Sequence, residues 1–389
     1  MICPFCSLLC DADDLDQVCC RRRESSLVDV TKMRSWRASP NRDSESLPNA
    51  KNALRSATRI LVTGRILSVQ TARAAVAFSA KYNATIDCAE RGHAFKNILA
   101  IQRSGLNSVS LSEARDHSDV LVVVGDDQLL AQVPRMPSAL ANENGDKRTV
   151  LLIGDFSEAS MSIWREAGFD VWFVPCELNA VPTALAQWAR WSDSNRDSLS
   201  IAGPLFEKLA QAPYTTVLWS AENLQIESAD LWVERMLQWI ATRNESTRCA
   251  ALAWSSLDGT FLQVCTWLTG FPGRIVFQAG TPKYDPCRFS YREWLAQKNT
   301  TKKVKSVLVV IDESTSATPF LEACDLPADM HVIEVTANSK TFPTTMAGVE
   351  VAADMFRADQ TLLARVEPSV EPRSDTKSAA HWLEALSEW

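Results

Sequence analysis

The residues best suited to chemistry lie at the start of the chain, where five cysteines fall within the first twenty residues. Three of them form a C-x2-C-x3-C run in the segment CPFCSLLC, and two more follow shortly afterwards. The five are Cys3, Cys6, Cys10, Cys19 and Cys20. Three thiolates from one tight loop, completed by a fourth from nearby, are a recurrent way to hold a 4Fe–4S cluster. The motif therefore predicts a cluster bound by four of these five cysteines.

Two other interpretations of this motif remain open. Four thiolates also suit a tetrahedral structural zinc site, in which case the segment would be a small metal-binding interaction module. A degenerate site that binds nothing is the third interpretation, because only eight or nine residues separate Cys10 from Cys19 and Cys20.

The rest of the sequence offers no catalytic constellation. Four histidines give no H-x-x-x-H pattern, and no G-x-S-x-G, P-loop or G-x-G-x-x-G segment is present. The later single cysteines are expected to be small, mostly buried hydrophobic residues; they are Cys176, Cys249, Cys265, Cys287 and Cys324. Asp126 and Asp127 follow a predicted strand, where α/β folds often bind ligands, but a solvated turn is the simpler expectation.

Composition narrows the class of protein. The 389 residues are 46% hydrophobic and 22% charged, the balance of a folded globular chain. A net charge of -7 gives no general attraction for nucleic acid or for an anionic membrane surface. The N-terminus lacks a basic-then-apolar signal segment, and no apolar run reaches the roughly 20 residues of a membrane span. A cytoplasmic protein is expected.

The elements that must position any site alternate between strand and helix. Continuous apolar runs such as Asp119–Val124 and Val307–Ile311 are typical of strands covered on both faces. Open, mostly parallel α/β sheets with flanking helices are therefore predicted, with a short N-terminal Cys-rich module. We expect that module and a linker at 1–50, α/β domains at 51–177 and 178–345, and a C-terminal segment at 346–389. Its last helix is expected to pack on its own chain.

Several segments together resemble a known family. The opening CPFCSLLCD is similar to the start of the B subunit of formylmethanofuran dehydrogenase, and of its relative in the bacterial formyltransferase/hydrolase complex. Further similar segments follow in the same order along the chain: Gly64–Val76, His93–Gly105, Ser118–Asp127, Thr266–Pro286 and Met355–Arg365. The stretch TWLTGFPGRIVFQAGTPKYDP is the most specific of them.

The resemblance implies a fold, cofactors and partners. The dehydrogenase subunit has domains of the molybdopterin oxidoreductase type and carries a bis-pterin tungsten or molybdenum centre with an Fe–S cluster. The formyltransferase/hydrolase complex implies A, C and D subunits as partners in tetrahydromethanopterin-linked one-carbon metabolism. In that complex the A subunit hydrolyses the formyl group to formate.

One departure from the family pattern decides between two functions. The dehydrogenase holds its metal by a cysteine directly before His-Gly-Pro, whereas here Gly92 precedes His93 and Cys88 lies five residues back. A ligand displaced by more than a turn cannot reach the same coordination position. The sequence thus predicts an architectural, non-catalytic subunit without the pterin centre, and His93 at a helix start. The alternative is a redox-active B subunit of the dehydrogenase type.

Overall fold

The structure is a computed structural model of the chain. It describes residues 3, 8–10, 46–88, 93–142, 147–189, 203–226, 228–254, 259–297, 305–314, 326, 330–337, 339, 341–359 and 361–388. Among these residues no helix is long and apolar enough to cross a lipid bilayer.

The strands carry most of the apolar runs seen in the sequence. In chain order they are β1 (Arg59–Arg65), β2 (Thr85–Ile86), β3 (Val120–Asp126), β4 (Thr149–Asp155), β5 (Asp170–Pro175), β6 (Tyr214–Ser220), β7 (Arg248–Trp254), β8 (Ile275–Gln278), β9 (Thr281–Tyr284), β10 (Ser306–Asp312), β11 (His331–Thr336), β12 (Phe342–Pro343), β13 (Ala353–Phe356) and β14 (Leu363–Val366).

Most helices lie between these strands in the sequence, while the first precedes β1 and the last follows β14. They are α1 (Leu47–Ser56), α2 (Val69–Tyr82), α3 (His93–Ser104), α4 (Leu111–His117), α5 (Gln128–Gln132), α6 (Met136–Leu140), α7 (Glu158–Glu166), α8 (Val181–Ala189), α9 (Gly203–Gln211), α10 (Ala229–Arg243), α11 (Gly259–Thr269), α12 (Tyr291–Ala296) and α13 (Ala379–Ser387).

The chain divides into two compact units that do not follow its order. Unit 1 comprises Met1–Gly92 and Leu257–Trp389, and unit 2 comprises His93–Ser256. The division predicted from sequence ran in chain order, with boundaries at 50, 177 and 345. The structure differs because β10, a strand of the second half, pairs with β1, so unit 1 is assembled from two distant segments.

Unit 1 contains a seven-stranded sheet in the order β12-β11-β10-β1-β2-β8-β9. The first five strands of this order are parallel, and β8 and β9 are antiparallel additions at one edge. A separate hairpin pairs β13 with β14. Leu61, Leu308 and Val310 are fully buried in the central strands, as expected when helices cover both faces.

Unit 2 contains a five-stranded sheet in the order β5-β4-β3-β6-β7, and all neighbouring strands in it are parallel. Its core includes three tryptophans, Trp219, Trp232 and Trp239, which are no more than 5% exposed. The prediction of mostly parallel α/β sheets is therefore confirmed in both units.

The C-terminal helix packs on its own chain, as predicted. Leu383 and Leu386 of α13 are buried, and Tyr82 of α2 donates a hydrogen bond from its hydroxyl to the Leu386 carbonyl at 2.8 Å. The indole of Trp382 donates to the Pro343 carbonyl at 2.9 Å. The helix is thus a structural part of unit 1.

One predicted linker is partly helical. A linker was expected up to residue 50, but α1 begins at Leu47, so its last residues are helical. The Ser46 hydroxyl accepts a hydrogen bond from the Asn49 amide, and proline is favourable in the first turn. Burial of Ala50 and Leu54 then fixes the helix on unit 1.

Candidate functional site

The first and third cysteines of the N-terminal motif lie next to each other. The backbone amide of Cys3 donates to the Cys10 carbonyl at 2.9 Å, and both residues pack in one small apolar cluster with Met346 and Val349. Cys3 is 4% exposed and Cys10 is half-buried. The first and third cysteines of the motif therefore converge, as a loop around a cluster requires.

The other predicted ligands, Cys6, Cys19 and Cys20, lie outside the described residues. Within the part of the chain that the structure describes, no three histidine, cysteine or acidic side chains are grouped so that they could hold a metal ion. The cluster, zinc and empty interpretations consequently all remain predictions.

Cys88 and His93 belong to different compact units. Cys88 follows β2 in unit 1 and is 2% exposed, whereas His93 is the first residue of α3 in unit 2. The expectation that His93 begins a helix is confirmed.

Beside Cys88 lies a fully buried carboxyl group, that of Asp87. The Tyr291 amide donates to its Oδ2 at 2.8 Å, and Arg274 Nε lies 3.8 Å from Oδ1. Burial raises the pKa of Asp87 to about 7, and the Arg274 charge and the backbone hydrogen bonds oppose that rise without cancelling it. Asp87 is a structural group whose ionisation is costly.

We expect Asp87→Asn to flatten the pH dependence of stability between about pH 4 and 7. The folded-state pKa of Asp87, about 7, exceeds its ordinary value of 3.8, so the stability it contributes is present below pH 3.8 and is lost as pH rises toward 7. The wild-type free energy of unfolding should therefore fall by roughly 2–4 kcal/mol relative to the variant across that window. Urea unfolding at a series of pH values measures it.

The exposed Asp375→Asn provides the control for that measurement, because its side chain lies on the surface. A difference between wild type and Asp87→Asn that stays constant with pH would show that Asp87 does not titrate in this range.

The carboxyl edge of the seven-stranded sheet contains a buried polar cluster around one carboxyl group. From β1 the chain adds strands first on one side, starting with β2, and later on the other side, starting with β10. The position between β1 and β10 is therefore a topological switch point, and ligands of open α/β sheets bind at the carboxyl edge of such a point. There Arg65, the last residue of β1, pairs with Asp312, the last residue of β10, and Arg65 Nε donates to Asp312 Oδ2 at 3.1 Å. The next residue, Glu313, is 3% exposed.

Four groups donate hydrogen bonds to the Glu313 carboxyl group, two to each oxygen. Oε2 accepts from the amides of Leu67 and Ser68 at 2.9 and 3.0 Å. Oε1 accepts from the hydroxyls of Ser68 and Thr71 at 2.9 and 2.6 Å. Burial raises the pKa of Glu313, and these four donors act against that rise. Sequence reasoning did not identify Glu313.

The carboxyl edge of the five-stranded sheet has a comparable but more open arrangement. Its switch point lies between β3 and β6, and Asp126 ends β3. Asp126 Oδ1 accepts from the Gln128 amide at 2.9 Å and from Asn223 Nδ2 at 3.1 Å. Burial raises the pKa of Asp126. The expectation of a solvated turn therefore holds only in part for Asp126, which is half-buried and bonded to Asn223.

Asp127 is exposed, as expected of a solvated turn, but it also caps a neighbouring helix. Its Oδ1 accepts from the Ser157 amide at 2.9 Å, at the start of α7. Burial would raise the pKa of Asp127, but hydrogen bonds from Ser160 and Ser157 outweigh it and lower that pKa. Both aspartates are thus engaged with the chain itself.

Two of the four described single cysteines follow the prediction of burial. Cys249 and Cys265 are fully buried, and burial raises the pKa of Cys249 to about 12 and that of Cys265 well above its ordinary value. Such thiols are inert packing groups. Cys176 is half-buried and Cys287 is exposed, while Cys324 lies outside the described residues.

The two sheets, each with a switch point at its carboxyl edge, define the chain as a doubly wound α/β protein. No protein-family model matches its sequence. A curated protein, the B subunit of the formyltransferase/hydrolase complex of Methylorubrum extorquens, is 22% identical over 271 residues, which are 68% of this chain and 72% of the relative. The resemblance predicted from the sequence motifs is therefore confirmed.

The fold is also similar to that of a solved structure. A chain of the formyltransferase/hydrolase complex from Methylorubrum extorquens, determined with methylofuran, superposes with a TM-score of 0.69. The match covers 88% of this chain and 94% of that chain at 18% identity, a likeness that shows the fold.

Proposed function

We propose that this chain is the B subunit of a formyltransferase/hydrolase complex, with an architectural role in tetrahydromethanopterin-linked one-carbon metabolism. Its partners would be the A, C and D subunits, of which A releases formate. The observation that carries the proposal is that the sequence relative and the structural neighbour, found independently, come from the same complex.

We infer that this subunit descends from proteins with the molybdopterin oxidoreductase type of fold. Two mostly parallel sheets, each with a switch point, support it. Function resides in the site and not in the fold, so the ancestry does not imply redox chemistry. Among the residues that the structure describes, the side chains do not fit a tungsten- or molybdenum-pterin centre. Cys88 is displaced from the family position, and Glu313 fills the switch point of unit 1.

The N-terminal module would hold a 4Fe–4S cluster, which supplies electron transfer where it is bound. Its ligands would be Cys3, Cys6, Cys10 and one of Cys19 and Cys20. The convergence of Cys3 and Cys10 on one apolar cluster supports this assignment. In an architectural subunit such a cluster would stabilise the loop that carries the ligands. The comparisons favour neither a redox-active dehydrogenase subunit nor an isolated zinc module.

Co-expression tests the subunit assignment. A tagged copy of this chain, produced with the A, C and D subunits encoded in the same organism, should recover all four in equal amounts. Metal analysis of the purified complex should find no stoichiometric tungsten or molybdenum. Recovery of the tagged chain alone, while the other three subunits assemble and release formate without it, would contradict the proposal.

We expect Cys6→Ser to leave formate release by the assembled complex within about twofold of wild type, because an architectural subunit contributes no reacting group. Formate release is measured on complexes of verified composition, with the exposed Cys287→Ser as the matched control. A loss beyond about tenfold in a complex that still contains all four subunits would indicate a catalytic role for the cysteine module.

A further inference from the structure

The N-terminus of α2 is built like an anion-binding site. This 14-residue helix starts at the switch point between β1 and β10, where the positive end of its dipole favours negative charge. Two backbone amides and two hydroxyls converge there from Leu67, Ser68 and Thr71. In open α/β sheets this is the place where a phosphate or carboxylate ligand would be held.

In this chain all four donors are already used by one side chain. Each oxygen of the Glu313 carboxyl group accepts two hydrogen bonds, and the side chain is nearly fully buried. We propose that Glu313 is an internal ligand that occupies this site permanently and excludes phosphate-bearing small molecules from the switch point of unit 1.

The backbone on both sides of the side chain fixes it in this position. The Glu313 amide donates to the Arg65 carbonyl at 3.1 Å, and its carbonyl accepts from the Ala347 amide at 3.3 Å. Removing the carboxyl group from the site would leave four buried donors without an acceptor, so a foreign anion must replace every one of these bonds to compete. Next to Glu313, Asp312 and Arg65 form an ion pair at the same edge.

The inference deepens the architectural role proposed above, since it explains why a fold with a ligand site would bind none there. The inference rests on the proposed function only in this explanation of the architectural role. Its test uses the full-length chain alone, without partner subunits, so failure of the subunit assignment and failure of this inference are distinguishable.

Anion rescue provides the experiment. Glu313→Ala should lower the thermal unfolding temperature by about 5 °C or more, because the donors lose their acceptor. Sodium formate should then raise the unfolding temperature of this variant by about 3 °C beyond the effect of equal sodium chloride, since formate fits the vacated carboxyl position. Wild type and Glu313→Gln, in which a side chain still fills the site, should show no such formate-specific rise.

A second measurement keeps the inference testable if Glu313→Ala does not fold. Wild-type protein titrated with inorganic pyrophosphate should show no saturable binding by calorimetry. Saturable binding that Thr71→Val abolishes would mean that the helix N-terminus is open to ligands, and would overturn the proposal. Equal responses of folded Glu313→Ala to formate and chloride would overturn it as well.

Discussion

Replacing Gly64 by alanine is expected to prevent unit 1 from folding stably. Gly64 ends the buried part of β1 with a φ of +139°, and a Cβ added there would lie 1.8 Å from the Ile311 carbonyl oxygen and 2.7 Å from its carbon. Both atoms are backbone atoms of the paired strand β10, so they cannot move aside as a side chain would. We expect a loss of about 4 kcal/mol or more, measured by urea unfolding and by soluble yield.

Gly105→Ala is the matched control for Gly64→Ala. Its φ of +73° is also unfavourable for alanine, but nothing lies within 4 Å of an added Cβ. The cost there should be about 1 kcal/mol, from backbone strain alone. If the two alanine variants lost the same stability, close approach of β1 and β10 would not be the reason for glycine at position 64.

Replacing Trp219 by alanine is expected to cost about 3–5 kcal/mol, because it opens a large cavity in the core of unit 2. The indole is fully buried in β6 and contacts the Trp232 ring edge-on at 6.3 Å between centroids. It also donates to Asn97 Oδ1 at 3.0 Å, so the alanine variant leaves a buried amide oxygen without its donor. Urea unfolding followed by circular dichroism measures the loss.

Two further variants separate the contributions of Trp219. Trp219→Phe retains most of the apolar area and should lose about 1–2 kcal/mol, mainly for the missing hydrogen bond. Trp267→Ala should lose about 1 kcal/mol or less, because Trp267 is 54% exposed and contacts Phe356 at the surface. A loss for Trp219→Ala no larger than that for Trp267→Ala would show that the described core of unit 2 is wrong.

The individual elements could be predicted from the sequence where their signals are local. The apolar run Asp119–Val124 became β3, and the run Val307–Ile311 became β10. Weak signals were missed. The strand β2 is only two residues long. The helix α1 is stabilised by burial of Leu54 within unit 1, which no local sequence pattern reveals.

Candidate sites could likewise be predicted when their residues are close in sequence, and were missed when their residues are far apart. The cysteine motif was evident because its candidate ligands are close in sequence, whereas Glu313 and Asn223 were missed. Glu313 reaches donors near residue 68, and Asn223 reaches Asp126, and each pair is far apart along the chain. Parallel strand pairing brings both pairs together at the carboxyl edges of the sheets.

The sequence by itself determined the class of fold, the order of most strands and helices, the cysteine loop and the resemblance to a formyltransferase/hydrolase subunit. Those features depend on hydrophobic periodicity, capping residues and short motifs, which are local properties of a chain. Only the tertiary structure decided that β1 pairs with β10, that unit 1 combines both ends of the chain, and that Glu313 fills the ligand site of that sheet. These outcomes depend on contacts across about 250 residues, because strand pairing exchanges backbone hydrogen bonds that carry no signature in the residues themselves.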